Sequence, residues 1–581
     1  MMRHRTSAHA YQESDRGASV STSAVSERGT RTVGSSPEGT SVRGGSLKQL
    51  LSVCDSEEQR RALCASDRPL DLLVLLLLTA IAAGTRFWRL SAPNSVVFDE
   101  FHFGKFVTYY FTGEYFFDIH PPLGKLLLAL GGYLHGYNTS FLYDQIGAVY
   151  PDDSYMGPRF VAALFGTLVV PLYYLVARAL PMSVEASALA ASWLLFDMAT
   201  AIESRLILTD SQLVFFTVLH LYCMLRLWRT RNGTRARRRW LLWSGITAGL
   251  ALSVKWTALA TPGLAGLVSL FGSRALLGPQ KRIPFFQCVL IGLVAICVYT
   301  SFFWLHFRLL PRSGSGDAFM LPTFRANLLG SPEHDPRAPK VPFGSKFLYL
   351  NKEMLRANAQ VPGRHHWESK WWSWPLDLSG ILYWIQSQRA PWMDAPQTNP
   401  SPSAMLRASQ GSLKPKSAFD VVEARIYLLV NPIVAWSVLG SLLLFVSLVG
   451  HRLFQAVIGD FQRAPKRKRE SEPSKLARRV KQTYYATGTF VFCGWLLNLL
   501  PYIGVKRAAF LYHYLPGLIY GILLTAWLLD RAPVSRSMRA QIAMIGILLS
   551  AAAYVYFSPW VYGLHLTIEQ QRARRWLGTW I

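Results

Sequence analysis

Charged residues are scarce in this sequence, and their scarcity excludes an ordinary water-soluble enzyme. Only 16 % of the 581 residues are Asp, Glu, Lys or Arg, whereas soluble domains carry about 25 %. Apolar residues make up 51 % instead, in recurring stretches of roughly 17 to 25 residues, the length that crosses a bilayer. The chain is therefore predicted to be a polytopic membrane protein. Its six cysteines fall in spans or in the N-terminal tail, so no disulfide framework is expected.

Positive charge is plentiful, with a formal net charge of +27. Basic residues cluster in short segments between apolar stretches, such as 229–239 and 463–481. This distribution is typical of cytoplasmic loops that orient membrane spans. It favours a solvated cytoplasmic face over a nucleic-acid partner.

The apolar stretches form two membrane regions, one on each side of a long polar segment. Residues 1–68 are rich in Ser, Gly, Thr and Arg, which predicts a disordered cytoplasmic tail. An N-terminal region, 69–304, and a C-terminal four-span region, 427–581, then enclose two large loops on the opposite face, 89–157 and 305–426. The eleven predicted spans are 70–88, 158–177, 185–202, 207–228, 240–257, 259–273, 283–304, 427–450, 485–503, 509–529 and 540–561.

Two adjacent carboxylates, Asp99 and Glu100, open the first of these loops among phenylalanines. Acids at a bilayer surface are costly to retain unless they have a function. Partial desolvation would raise the pKa of such a carboxylate, which suits a general base that takes a proton from a hydroxyl group. On a helix, neighbours point about 100° apart, so only one of the two can face a bound substrate. The alternative is an acid pair that merely marks the end of a span.

Cations on the same face are candidates for binding a phosphate. Arg159 lies at the mouth of the second span, where its planar guanidinium could pair with phosphate oxygens or extend to lipid headgroups. Lys255 lies near a span end in apolar surroundings, where a cation needs an anionic partner. Less specific candidates are the turn flanked by Arg205 and Asp210, where a local ion pair is equally expected, and the basic turn Lys506–Arg507.

Histidine and tryptophan give weaker signals. His120, His365 and His366 lie in the loops without the spacing of a metal site, so we expect no metal. The tryptophans of 367–374 are interpreted as an interfacial aromatic anchor rather than a sugar-binding platform.

Several segments resemble the protein O-mannosyltransferases, the dolichyl-phosphate-mannose–protein mannosyltransferases of the GT-C superfamily. The most specific match runs from Phe98-Asp-Glu-Phe-His-Phe-Gly-Lys105 to Glu114-Tyr-Phe-Phe-Asp-Ile-His-Pro-Pro-Leu-Gly-Lys125. Weaker matches follow in the family's order, at Met156–Phe160, Gly314–Met320, Glu368–Pro375 and Tyr512–Pro516.

The resemblance implies an all-α, GT-C-like membrane fold of about eleven spans with two large lumenal loops. It implies transfer of mannose from dolichyl phosphate mannose to Ser or Thr of secretory-pathway proteins, with inversion at the anomeric carbon. Asp99 and Glu100 would be the family's catalytic acid pair and Arg159 its essential arginine; Lys255 remains our own candidate for donor phosphate binding. The lipid-linked donor is a substrate, no cofactor is expected, and the partner would be a second copy or another family member.

One departure concerns the long loop. Most eukaryotic members insert a β-trefoil MIR domain there, and 305–426 is too short to hold one. Members without it are typical of bacteria, whereas the loop motifs favour the endoplasmic reticulum membrane; a bacterial plasma membrane is the alternative. Another lipid-phosphate-sugar transferase with a lipid or glycan acceptor, or a transporter, would be the competing functions, although the charged candidates gather at one face rather than mid-span.

Overall fold

In a computed structural model of the chain, the described residues are 68–272, 282–360, 365–389, 421–461 and 472–580. The predicted tail, apart from residue 68, lies outside them, as does most of the predicted cytoplasmic loop 274–282. The helices in chain order are α1 (Arg68–Phe87), α2 (Glu100–Thr112), α3 (Leu123–His135), α4 (Met156–Ala179), α5 (Val184–Leu195), α6 (Met198–Glu203), α7 (Asp210–Trp228), α8 (Arg235–Val254), α9 (Ala260–Phe271), α10 (Phe285–Leu309), α11 (Pro322–Arg325), α12 (Phe343–Gln360), α13 (Pro432–Phe461), α14 (Glu472–Leu499), α15 (Leu515–Arg531), α16 (Arg536–Tyr562) and α17 (Ile568–Ala573).

The predicted helical membrane fold is confirmed. Among the described residues, eight helical segments are long and apolar enough to cross a bilayer. Helices α5, α8 and α9 coincide with the three remaining predicted spans. Serine or threonine caps the N-terminus of α5, α8 and α16, where Ser183, Thr234 and Ser535 accept backbone N–H groups that a helix start leaves unpaired.

Helices α2 and α3 belong to the loop 89–157 and are too short to cross the membrane. Each ends at a glycine in the left-handed region, Gly113 with φ 76° and Gly136 with φ 80°. These glycines stop the helices sharply because a residue without Cβ enters this region at little cost. The chain can therefore change direction at Gly113 and at Gly136 within this loop.

A small antiparallel sheet was not predicted, so the expectation of an all-α protein is incomplete. Its strands are β1 (Ile381–Arg389), β2 (Val421–Leu428) and β3 (His565–Thr567), in the order β1-β2-β3. The predicted span 427–450 therefore begins too early, because helix α13 starts only at Pro432. Residues 422–426 alternate between buried and half-buried side chains, the period-2 pattern of a strand.

A buried polar network connects the N-terminal and C-terminal membrane regions. The Asp197 carboxylate accepts the backbone N–H groups of Thr200 at 2.8 Å and Asn431 at 2.9 Å. The Asn431 amide in turn donates to the carbonyl oxygens of Phe196 and Ser550. Because the polar groups of this network bond one another, they can remain away from water where the two regions meet.

Candidate active site

Asp99 lies at the N-terminus of α2, directly after Phe98, whose backbone is in the left-handed region with φ 46°. Its side chain is half-buried, and no described residue hydrogen-bonds its carboxylate. Burial raises the pKa of Asp99 to about 6, although the charges of Lys255 and His365 act in the opposite direction. A desolvated carboxylate with open hydrogen-bonding positions can accept a proton from a substrate.

Glu100, the next residue, has the opposite surroundings. Its side chain is fully buried, and its carboxylate accepts five hydrogen bonds. Arg159 donates two of them at 2.8 Å each, through Nε and Nη2. The others come from the Tyr150 hydroxyl and from the backbone N–H groups of Val97 and Ile207. A carboxylate held this way has no position left for a substrate, so these contacts favour a structural role for Glu100, and its catalytic role stays a prediction.

The contacts of Arg159 likewise favour a structural role over the predicted phosphate-binding role. It is fully buried, and beyond Glu100 its guanidinium donates to the carbonyl oxygens of Leu90, Pro93 and Ser95. These bonds occupy all five N–H groups of the guanidinium. Arg159 therefore fastens the loop 89–157 to helix α4 and has no N–H group left for a donor phosphate.

Lys255 lies at the C-terminus of α8, beside Asp99. Its ammonium donates to Asp210 at 2.6 Å and lies 5.5 Å from the centre of the Tyr512 ring. An ammonium has three N–H donors, so this ion pair leaves Lys255 able to bind a further anion. Asp210 thus pairs with Lys255 and not with Arg205, which donates to the backbone carbonyl oxygens of Arg86, Trp88 and Arg89 at the end of α1.

A second ion pair orders the turn that contains His120. Lys125 pairs with Asp118 and donates to the carbonyl oxygens of His120 at 2.7 Å and Pro121 at 3.2 Å. Burial lowers the pKa of His120 to about 3, so its imidazole is neutral at physiological pH. The sequence analysis did not predict that Asp118 and Lys125 form an ion pair. The two prolines between them were the available signal, because they fix a tight turn.

The long loop and the segment before α15 add further charged and aromatic groups to the site. His365 stacks edge-on against Phe510 and acts electrostatically on Asp99. Arg507 is half-buried, and its charge contributes to the low pKa of His120; no described side chain hydrogen-bonds or pairs with it. In the described part of the chain, no three His, Cys, Asp or Glu side chains are grouped as in a metal site.

Trp374 contradicts the interpretation of the tryptophan cluster as a membrane anchor. Its side chain is fully buried, with Nε1 donating to the Ser369 hydroxyl at 2.9 Å and its ring against Tyr502 and His513. Trp372 is exposed and fits the anchor interpretation better. The cluster therefore packs the long loop onto the segment before α15.

Backbone hydrogen bonds hold the long loop, 305–426, against the loop 89–157. The backbone N–H of Tyr115 donates to the Arg312 carbonyl at 2.8 Å, and that of Gly316 donates to the Tyr115 carbonyl at 3.0 Å. A Cβ at Gly316 would lie 2.5 Å from the Phe116 carbonyl carbon, so only glycine permits this approach. Asp317 closes the turn by accepting the Gly314 N–H at 3.0 Å.

An apolar groove of about 430 Å³ lies between helices α7, α8, α9 and α10. Trp256 and Tyr299 line one end, and the Trp256 indole donates to the Tyr299 hydroxyl at 2.9 Å. Ser269 and Cys288 line the other end, towards the opposite face of the membrane. Since Trp256 follows Lys255 in the chain, the groove begins beside the charged cluster and leads into the bilayer.

Comparison with known protein families identifies the family of the chain. A family model described as dolichyl-phosphate-mannose-protein mannosyltransferase matches residues 76–311. A second, described as the C-terminal four-span region of protein O-mannosyltransferase, matches residues 343–580. The chain belongs to the protein O-mannosyltransferase family. Asp99, Arg159 and Lys255 of this O-mannosyltransferase family member all lie in the part that the first model matches.

Individual relatives are similar over different lengths. The chain is 36 % identical to dolichyl-phosphate-mannose–protein mannosyltransferase 4 of Candida albicans, over 45 % of this chain and only 36 % of that protein. It is 24 % identical to protein O-mannosyl-transferase 2 of Drosophila pseudoobscura, over 87 % of this chain and 95 % of that protein. A Saccharomyces cerevisiae protein O-mannosyltransferase Pmt1–Pmt2 complex bound to the sugar donor shares the fold, with a TM-score of 0.72, 19 % identity and coverage of 91 % of this chain and 95 % of that chain.

Proposed function

We propose that the protein transfers mannose from dolichyl phosphate mannose to Ser or Thr hydroxyl groups of secretory-pathway proteins. The observation that carries the proposal is the carboxylate of Asp99: desolvated, without a hydrogen bond from any described residue, and beside Lys255. Curated relatives named as mannosyltransferases support the donor and the acceptor class. The chain matches several of these relatives over less than half of their length.

The donor has a charged head and an isoprenoid tail, and the site offers surroundings for both. Lys255 supplies positive charge beside Asp99 for the phosphate, and Arg507 supplies it beside His120 and Tyr512. The apolar groove that begins at Trp256 is suited to the first isoprene units of the tail. With this placement the mannose lies between the cations and Asp99.

Transfer then takes place in one displacement. The acceptor oxygen attacks the anomeric carbon of mannose as the bond from that carbon to the phosphate oxygen breaks. Asp99 accepts the hydroxyl proton, and dolichyl phosphate leaves with the bonding electrons and one additional negative charge. Lys255 and Arg507 stabilise this charge as it develops. Attack on the face opposite the leaving phosphate inverts the anomeric carbon.

The chain is proposed to act in the endoplasmic reticulum membrane, with Asp99 on the lumenal side, where secretory proteins are exposed. A partner subunit of the same family is part of the proposal, since the similar yeast structure is a Pmt1–Pmt2 complex. The bacterial plasma membrane remains the alternative location. Localisation of the tagged chain in its own cells separates the two.

The function is tested with purified protein in lipid nanodiscs. Dolichyl phosphate [³H]mannose is added with a Ser/Thr-rich peptide or with a matched peptide in which every Ser and Thr is Ala. We expect label only on the first peptide, with an anomeric configuration opposite to that of the donor. Transfer to lipid or glycan, or label in neither peptide while the donor is consumed, would contradict the proposal.

A further inference from the structure

Tyr383 lies at an irregularity in strand β1. Leu382 pairs with Tyr427 and Trp384 pairs with Ile426, so Tyr383 is an extra residue in the ladder, as in a β-bulge. Bulges bend a strand and redirect one side chain, and they are frequent next to active sites. Tyr383 and Trp384 are both buried although they are neighbours, which a regular half-exposed strand does not allow.

The redirected ring of Tyr383 packs against the residue before the proposed base. The Tyr383 and Phe98 rings are stacked, with centroids 4.1 Å apart and planes 10° from parallel. Phe98 has a left-handed backbone, with φ 46°. This conformation is uncommon for a bulky residue and persists only where the surroundings hold it. The stack with Tyr383 is a contact able to do so.

Glu203, the last residue of α6, fixes the other end of Tyr383. The tyrosine hydroxyl donates to the Glu203 carboxyl group, and both side chains are buried. Glu203 also lies close enough to Asp99, Asp210 and Lys255 to interact with them electrostatically. Burial raises the pKa of Glu203 well above its usual range. The tyrosine hydroxyl is neutral at physiological pH, so its contact with Glu203 is a hydrogen bond in either protonation state of the carboxyl group.

We propose that Tyr383 is a positioning residue for Asp99: held by Glu203, it stacks on Phe98 and keeps the Asp99 carboxylate oriented and shielded from water. The inference rests on the proposed function, in which Asp99 is the base. It connects the sheet of the long loop to the base, although Tyr383 itself contacts neither substrate. The charged and titratable groups that act on Asp99 or on this contact are Lys255, Asp210, Asp118, His365, Glu203 and Tyr512.

The first test compares Tyr383→Leu, Tyr383→Phe and the wild type in the mannosyl-transfer assay. Tyr383→Leu removes the stack, and we expect kcat to fall ~10- to 100-fold, as for a small misplacement of a catalytic group, with little change in the donor KM. Water admitted to Asp99 should also lower its pKa from about 6 towards 3.8. The acidic limb of the kcat/KM profile should therefore move to lower pH. Tyr383→Phe keeps the stack with Phe98, so its kcat should fall less than that of Tyr383→Leu.

Matched variants separate positioning from general damage. Tyr427→Phe removes a buried hydroxyl from the same sheet, where it accepts the Gly380 N–H at 3.0 Å; it should leave the acidic limb in place. Glu203→Gln keeps an acceptor for the tyrosine and should retain more activity than Glu203→Ala. Wild-type kcat and an unmoved acidic limb in Tyr383→Leu would overturn the proposal, as would equal losses in Glu203→Gln and Glu203→Ala. If Tyr383→Leu fails to fold, the activities of Glu203→Gln, Glu203→Ala and Tyr383→Phe test the proposal instead.

A second readout does not depend on activity. In an Asp99→Cys background, the rate of labelling by a water-soluble maleimide measures access to position 99, with the native cysteines as the baseline. We expect Tyr383→Leu to raise this rate and Tyr427→Phe to leave it unchanged. Equal rates would refute the shielding role even if mannosyl transfer is confirmed. An inactive wild type would refute the proposed function while leaving this measurement valid.

Discussion

Asp99 and Glu100 are adjacent in the chain but have different chemistry because of what surrounds each. Successive residues on a helix point about 100° apart, so the Glu100 side chain is fully buried while the Asp99 side chain is half-buried. Arg159 and three other donors hold the Glu100 carboxylate, whereas no described residue hydrogen-bonds the Asp99 carboxylate. One carboxylate is thereby structural, and the other is able to take a proton.

At this scale, Arg159→Ala is expected to impair folding rather than donor binding. The variant leaves the Glu100 carboxylate buried without its ion-pair partner, which typically costs about 3–5 kcal/mol in the free energy of unfolding. Arg159→Lys should recover little, because an ammonium cannot replace the two-pronged contact. Thermal unfolding in detergent measures the loss, and adding Glu100→Gln should recover part of it. Normal stability with a raised donor KM would return Arg159 to the phosphate-binding role.

Lys255 is expected to control the pH dependence of transfer. Its charge lowers the pKa of Asp99, which burial otherwise raises. Removing the charge in Lys255→Met should raise that pKa above about 6. Because the base must be ionised, the acidic limb of kcat/KM should move to higher pH, and the donor KM should rise as well. Lys255→Arg is the control that keeps the charge, and an unmoved limb in Lys255→Met would contradict the assignment.

The sequence could predict that only one of Asp99 and Glu100 faces the substrate, but not which one. That choice depends on Arg159, Tyr150 and Ile207, which lie far along the chain and meet Glu100 only in the folded protein. The position of Lys255 at a span end likewise predicted that it has an anionic partner. In the structure, Asp210 is such a partner. The residue types thus indicated which chemical groups are present, whereas the hydrogen-bond and ion-pair partners of each group could be identified only from the folded structure.

Helices α8 and α10 form one wall of the apolar groove through close contact at glycines. A Cβ on Gly249 would lie 2.7 Å from the Ala295 carbonyl oxygen and 2.7 Å from the Val298 Cβ. Gly245 makes a similar approach to Val294. Small residues spaced by four positions permit helix backbones to approach closely within a membrane.

Gly249→Ala is accordingly expected to separate α8 from α10. Overpacking of this kind typically costs about 1–3 kcal/mol, and movement of the groove wall should also raise the donor KM. Thermal unfolding and donor titration measure the two effects. Gly440→Ala in α13 is the matched control, because a Cβ there meets no atom within 4 Å and the residue does not line the groove. If the two variants behave alike, the glycine contact does not shape the groove.

Elements with a strong apolar signal were predictable, and those of the long loop were not. Each predicted span corresponds to a helix, because a membrane-length apolar stretch has few other ways to satisfy its backbone. Strand β2 was absorbed into the following span because Ile426, Tyr427 and Leu428 continue the apolar run towards α13. The bulge at Tyr383 left no sequence signal at all, since it depends on pairing with a strand outside its own segment.

The function of the whole molecule depends on which side of the membrane each loop faces. Two N-glycosylation sequons can report this orientation. Asn138-Thr-Ser140 lies in the loop with Asp99, and Asn232-Gly-Thr234 lies in the basic loop 229–239. The Asn138 amide donates to Asp152 at 2.6 Å, so poor glycosylation there is compatible with either orientation. Asn232 is exposed and informative.

In a eukaryotic host, Asn232 is expected to remain unmodified. The loop 229–239 holds six arginines, and basic loops remain on the cytoplasmic side, where N-glycosylation does not occur. Glycosidase-sensitive mobility of the chain, with Asn232→Gln as the control, measures this. A glycan on Asn232 would place Asp99 on the side away from secretory acceptors and would contradict both the topology and the proposed function.

The central claim is that Asp99 is the base for mannosyl transfer, and the rate of the Asp99→Asn variant tests it most directly. Asparagine has nearly the same shape but accepts no proton, so we expect a 10²- to 10⁴-fold loss in kcat, typical for a general base. Folding should be unimpaired at pH 7, because a carboxyl whose pKa is raised to about 6 in the folded protein destabilises the fold once ionised. A folded Asp99→Asn variant that mannosylates the Ser/Thr peptide at the wild-type rate would contradict the account.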